Sequence, residues 1–192
     1  MPVRATATPC RPRSARRAID VRARAARLIV VDLDGVLTDG RVLLDARGRE
    51  ARVFHAADRS AIALLGRAGI AVVALAARRP RARPAWARSL GLSAVLGAGG
   101  RGLDAVRRYC RQRRLGLDAV CYVGSDVLEL PLSEAVGLAI SVGNAPHQLK
   151  RASHWVLAAV GGGGALREVG ERVLRVQGKW ASTIGELWRR WD

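Results

Sequence analysis

Asp32 and Asp34 stand one residue apart, directly after the apolar run Leu28-Ile29-Val30-Val31 and before Gly35. Two carboxylates at one site can divide their work. One stays ionised and attacks as a nucleophile, while the other holds a proton and acts as a general acid. An all-oxygen setting also suits a hard cation such as Mg²⁺. If the chain turns after Asp32, such an ion could take one carboxylate oxygen and the backbone carbonyl two residues on. The plain alternative is an acidic strand end that caps a turn. The longer string Asp32-Leu33-Asp34-Gly35-Val36-Leu37-Thr38-Asp39-Gly40 argues against it.

The elements that must position this pair are legible around it. An unbroken, largely β-branched apolar run bounded by a turn signal reads as a buried parallel strand. Ligands of open α/β sheets gather at the carboxyl ends of such strands, which is where the two acids fall. Further apolar runs predict strands over 70–75, 93–96, 119–123 and 138–142, with a sixth over 155–157. A short helix over 20–27 leads into the first strand, and between the strands helices are expected over 58–68, with Asp58 as N-cap, and over 78–90, 103–114 and 165–176. This alternation predicts a parallel sheet with right-handed crossovers. Residues 41–44 and 52–55 flank a polar turn holding Asp45, Gly48 and Arg49 and predict a β-hairpin. Such edge strands are ready to pair with another chain.

Composition narrows the classes. The chain has 192 residues, 49% of them hydrophobic, enough for one globular domain with a full core. No apolar run approaches the roughly 20 residues that a membrane span needs, and the arginine-rich start lacks the apolar centre of a secretory signal. The formal charge of +17 invites a nucleic-acid reading. Against it, Lys150 and Lys179 are the only lysines, the arginines are spread along the chain, and aromatics make up only 4%. No stacking platform interleaves with the basic runs, so no nucleic-acid partner is expected. Cys10, Cys110 and Cys121 form no close pair, which fits a reducing, cytoplasmic setting. His55, His147 and His154 have no metal-ligand spacing and read as structural.

The string from Asp32 to Gly40 resembles the first motif of the haloacid-dehalogenase (HAD) superfamily of aspartyl-phosphate phosphatases. Within it the chain is similar to the small, capless KDO-8-phosphate phosphatases, a domain also found in some CMP-sialic acid synthetases. The resemblance spans about 20–179. It implies a HAD-like Rossmannoid three-layer α/β sandwich in which the hairpin replaces a cap domain and pairs with its copies in a homotetramer. It also implies Mg²⁺, a small sugar-phosphate substrate, Asp32 as nucleophile and metal ligand, and Asp34 as acid/base with its carbonyl on the metal.

The remaining motifs of the resemblance are altered. Where the family has Ile-Thr-Gly-Arg, this chain has Leu75-Ala76-Ala77-Arg78. The hydroxyl is lost at Ala76, while Arg78 is left to hold phosphate or substrate. A lysine is expected about 22 residues before Gly124, which reaches Gly102, with Arg101 beside it as a partial substitute of different geometry. Gly124-Ser125-Asp126-Val127-Leu128-Glu129 replaces Gly-Asp-Asp-x-x-Asp, putting Ser125 in the metal-ligand column and leaving Asp126 or Glu129 as a shifted ligand. Gly161 to Glu168 matches the family's Gly-Gly-x-Gly-Ala-x-Arg-Glu segment, although a loop capping a helix would look the same.

The expected organisation is therefore a disordered basic tail over 1–19, a phosphatase domain over 20–179, and a C-terminal tail over 180–192. In that last tail Trp180, Trp188 and Trp191 would share an apolar face. Two functions follow. One is a Mg²⁺-dependent sugar-phosphate phosphatase weakened by the three altered motifs. The other is a catalytically degenerate HAD domain kept for assembly or regulation.

Overall fold

The computed structural model describes residues 13–48, 50–77 and 84–189. The chain runs α1 (Arg13–Ala25), β1 (Leu28–Asp32), β2 (Leu43–Leu44), β3 (Glu50–Ala51), α2 (Ala56–Arg67), β4 (Ala71–Ala76), α3 (Ala85–Ser89), β5 (Ala94–Gly97) and α4 (Gly102–Gln112). It continues through β6 (Val120–Gly124), α5 (Leu130–Ala135), β7 (Leu138–Ser141), α6 (His147–Ala152), β8 (Trp155–Val156), α7 (Ala165–Val176) and α8 (Trp180–Trp188). Six strands form one sheet in the order β5-β4-β1-β6-β7-β8, with parallel pairing at each step. The α/β sandwich expected from the alternation of strands and helices is present.

Strand alternation sorts the core into two layers. Ile29 and Val31 face the side that carries Ile62, Leu65, Leu166 and Val169 of α2 and α7. Leu28 and Val30 face Tyr122 and the helix residues Val106, Tyr109 and Leu132 of α4 and α5. These four of the five β1 residues are fully buried, which accounts for a continuous apolar run with no polar face. The central strand β1 lies between β4 and β6, where chain connections diverge to the two halves of the sheet. Its carboxyl end is therefore the topological switch point.

Several local expectations are corrected. The tail expected through residue 19 is helical from Arg13, because Ile19, Ala23 and Ala26 sit at helical spacing and are buried. Asp20 pairs with Arg172 of α7 at 2.9 Å. Residues 1–12 of that tail lie outside the described residues. The second hairpin strand forms at Glu50–Ala51, earlier than 52–55, pairing Leu43 with Ala51 and Leu44 with Glu50.

Helix α2 starts at Ala56, capped by His55, whose Nδ1 accepts from the Ala57 N–H at 3.2 Å. Asp58 is instead buried in the first turn and accepts from the Arg167 N–H at 2.9 Å, tying α2 to α7. That burial raises its pKa.

Trp180 packs on the core beneath Arg175, whose guanidinium lies 4.6 Å from the ring centre, whereas Trp188 is 69% exposed. Eight residues at 3.6 per turn place the two rings about 80° apart around α8, so the apolar face expected of them is packed at Trp180 and open at Trp188. Trp191 lies outside the described residues. Among the described residues no helix is long and apolar enough to cross a membrane.

Candidate active site

Asp32 closes β1 in extended conformation, and the chain then coils through Leu33–Leu37 in a wide, irregular turn. Gly35 takes φ +101° in this turn, a region open to glycine and strained for other residues. A side chain there would also press within 2.5 Å of Ser125 Oγ. Thr38 fastens the turn from inside: its Oγ1 accepts from the Gly35 and Gly40 N–H groups at 3.3 Å each and donates to the Leu33 carbonyl at 3.4 Å. The string after Asp34 is thus a backbone clamp that aims the two acids.

Ser125, just past the end of β6, donates to Asp32 Oδ2 at 2.7 Å and lies 3.2 Å from the Asp34 carbonyl oxygen. Asp32 is largely shielded from solvent, and its pKa is pushed up to about 7. Burial is the main cause. The Ser125 hydrogen bond opposes it, and the charges of Glu129 and then Asp34 reinforce it. The Asp34 carboxylate points the other way, to solvent, and pairs with Arg52 through Oδ1···Nε at 3.1 Å. Arg52 also grips Glu50 at 3.1 Å. A cavity of about 420 Å³ opens here, lined by Asp34, Glu50, Arg52, Trp86, Ala76 and Leu33 among others.

The other expected residues divide. Arg78 lies outside the described residues. Arg101 is exposed at the start of α4 and makes no ion pair with Asp32 or Glu129 among the described residues. Asp126 is exposed, and its Oδ1 caps the turn at Val127–Glu129 by accepting from the Leu128 N–H at 3.0 Å. Ala76 is buried at the end of β4 with no hydroxyl to offer.

The glycine run is docked on the site. The Gly162 N–H donates to the Val36 carbonyl at 2.9 Å, and a side chain on Gly161 would strike the Gly35 carbonyl oxygen. Arg52 and Trp86 were not legible as site residues, since no spacing links a hairpin arginine to Asp34.

The donor set bears on a metal. The Asp32 carboxylate and Asp34 carbonyl converge on one point, marked by the Ser125 hydroxyl that reaches both. These are oxygen ligands of the kind Mg²⁺ takes, and Mg²⁺ often binds through one or two carboxylates while keeping its waters. The residues therefore fit a divalent ion, with a neutral hydroxyl in place of a second direct carboxylate. Among the described residues no group of three or more His, Cys, Asp and Glu side chains is arranged to hold one.

No family model matches the chain. It is 31% identical over 168 residues to the 3-deoxy-D-manno-octulosonate 8-phosphate phosphatase KdsC of Yersinia pestis, covering 86% of this chain and 90% of that protein. A putative HAD-superfamily hydrolase from Legionella pneumophila superposes with a TM-score of 0.86 at 28% identity, over 92% of this chain and 97% of the other. A 3-deoxy-D-manno-octulosonate 8-phosphate phosphatase from Moraxella catarrhalis, solved with magnesium, phosphate and KDO, superposes with a TM-score of 0.82 at 27% identity. That superposition spans 88% of this chain and 97% of the other.

Proposed function

The chain belongs to the capless KDO-8-phosphate phosphatase family of the HAD superfamily, and from that membership we propose that it hydrolyses the phosphomonoester of a small KDO-8-phosphate-like sugar. The observation that carries the reading is the divergence of two acids at one strand end. Asp32 is shielded and held by Ser125, while Asp34 opens to a cavity beside Arg52.

In this reading an Asp32 carboxylate oxygen attacks phosphorus as the phosphorus–oxygen bond to the sugar breaks. Asp34 gives its proton to the departing alkoxide. Asp34 then takes a proton from water, whose oxygen attacks the aspartyl phosphate and releases inorganic phosphate and free Asp32. Arg52 holds the Asp34 side chain at the cavity wall. Mg²⁺, held by the Asp32 carboxylate and Asp34 carbonyl, would offset phosphoryl charge.

The supporting groups are thinner than the resemblance implies. Ala76 offers no hydroxyl, Gly102 no cation, and Ser125 no charge. Losing one such charge-stabilising group typically lowers the rate about 10²–10³-fold, and such losses are not additive. A feeble enzyme is the leading reading. A second, a degenerate domain kept for assembly, draws on the hairpin region, where Val42, Leu43, Leu44 and Val53 are all exposed. Burying them against copies of the same hairpin would give the homotetramer that the resemblance implies. The reduced, buried Cys110 and Cys121 fit a cytoplasmic location.

The test is phosphate release from a panel of small sugar phosphates with Mg²⁺, comparing wild type with Asp32→Asn. Release that depends on Asp32 supports the enzyme. Equal background from both supports the degenerate domain.

A further inference from the structure

Among the described residues the acid at the back of the site has no counter-charge. Even-numbered residues of β1 face α4 and α5, and Asp32 continues that alternation. On the same side, the Glu129 carboxylate is packed against Gly102, the first residue of α4, so closely that any side chain there would collide with it. Glu129 is half-buried and has no hydrogen-bond or ion-pair partner among the described residues. Its charge bears on Asp32 more strongly than that of Asp34 does, although Asp34 is only two residues away. Asp126 presses on Glu129 in turn.

Beneath this corner lies the Tyr122 hydroxyl, fully buried and without a hydrogen-bond partner among the described residues, with the charges of Asp32, Glu129 and Asp126 acting on it. The Arg101 N-cap of α4 makes no side-chain capping bond. On this side of Asp32 the charge already present is negative.

We propose that Glu129 is a specificity-determining residue that acts as a built-in anion at the phosphoryl subsite, lowering the affinity of the site for dianionic phosphate. The inference rests on the reading that phosphate is bound at Asp32. It explains why the gap left at Gly102 is not simply an absent cation: a carboxylate of opposite charge fills it. The site then favours substrates that bring binding energy from the sugar, gripped in the cavity at Arg52 and Trp86, over those that rely on the phosphate alone.

Calorimetric titration of the full chain with inorganic phosphate at pH 8, in the presence of a chelator, tests this. Glu129→Gln keeps the shape and removes the charge, and should tighten phosphate binding about tenfold or more. Glu129→Ala should move affinity in the same direction. Glu129→Asp keeps the charge on a shorter arm and should bind no better than wild type. Equal affinity in wild type and the Gln variant, equal gains in the Asp and Gln variants, or no binding by any of them would overturn the proposal. Because the readout is binding, absence of Asp32-dependent turnover would refute the phosphatase reading without deciding this one.

Discussion

Ser125 Oγ lies 2.7 Å from Asp32 Oδ2, a hydrogen bond across 93 residues that joins the ends of two neighbouring parallel strands. The same oxygen lies 3.2 Å from the Asp34 carbonyl, so one hydroxyl spans both atoms that a divalent ion would take. Replacing Ser125 with Asp adds a carboxylate at that point. Mg²⁺ should then bind more tightly by about tenfold or more, read by calorimetry and by a larger rise of the unfolding temperature with added Mg²⁺. Ser125→Ala, which strips a shielded carboxylate of its donor, should cost about 1–3 kcal/mol in a urea titration.

Asp32 makes stability depend on pH in a direction opposite to that of a salt-bridged acid. Its folded pKa of about 7 lies above the ordinary value of 3.8. Below about pH 4 both states carry the proton and there is no penalty. Between these values the native state holds more protons than the unfolded chain, so stability falls as pH rises and levels off above about 7. In metal-free protein, Asp32→Asn should remove that slope and be more stable than wild type at neutral pH by a few kcal/mol. Asp58 and Glu129, also raised by burial, add slopes of the same sign that the substitution leaves in place.

The ion pair of Arg52 with Asp34 belongs to the site more than to the scaffold. Both side chains are partly exposed, and pairs of this kind contribute about 0–1 kcal/mol. Arg52→Ala should leave the unfolding midpoint nearly unchanged while raising KM for a sugar phosphate several-fold, as measured by steady-state phosphate release.

Much of the site could be read from the sequence because the signals are local. The apolar run into Asp32 and Asp34, the Gly35 turn and the alternation of strands and helices are each set by neighbours within a few residues. The hairpin register was not legible, since exposed Val42, Leu43, Leu44 and Val53 offer no buried face to fix it. The helix expected over 20–27 starts earlier, at Arg13, because arginines between Ile19, Ala23 and Ala26 mask the apolar spacing. The capping of α2 was misassigned because Asp58 serves a second helix, through the Arg167 N–H, that is distant in sequence. Glu129 against Gly102 and Arg52 against Asp34 are contacts made by the fold itself, and no spacing along the chain announces them.

Close backbone approach, which a Cβ would block, should separate two glycines sharply. Gly161 faces the Gly35 carbonyl oxygen with no room for a methyl group, so Gly161→Ala should destabilise by about 2 kcal/mol or more. Gly66, inside α2 with open space around it, should instead gain about 0.5–1 kcal/mol as Ala. Denaturant titrations of the two variants read both signs.

The most direct test of the account is phosphate release from KDO-8-phosphate in Mg²⁺ by wild type and Asp32→Asn side by side. The account predicts slow but measurable release by wild type and none above background by the variant. Equal release by both, or none by either at enzyme concentrations that would reveal a feeble hydrolase, would contradict it.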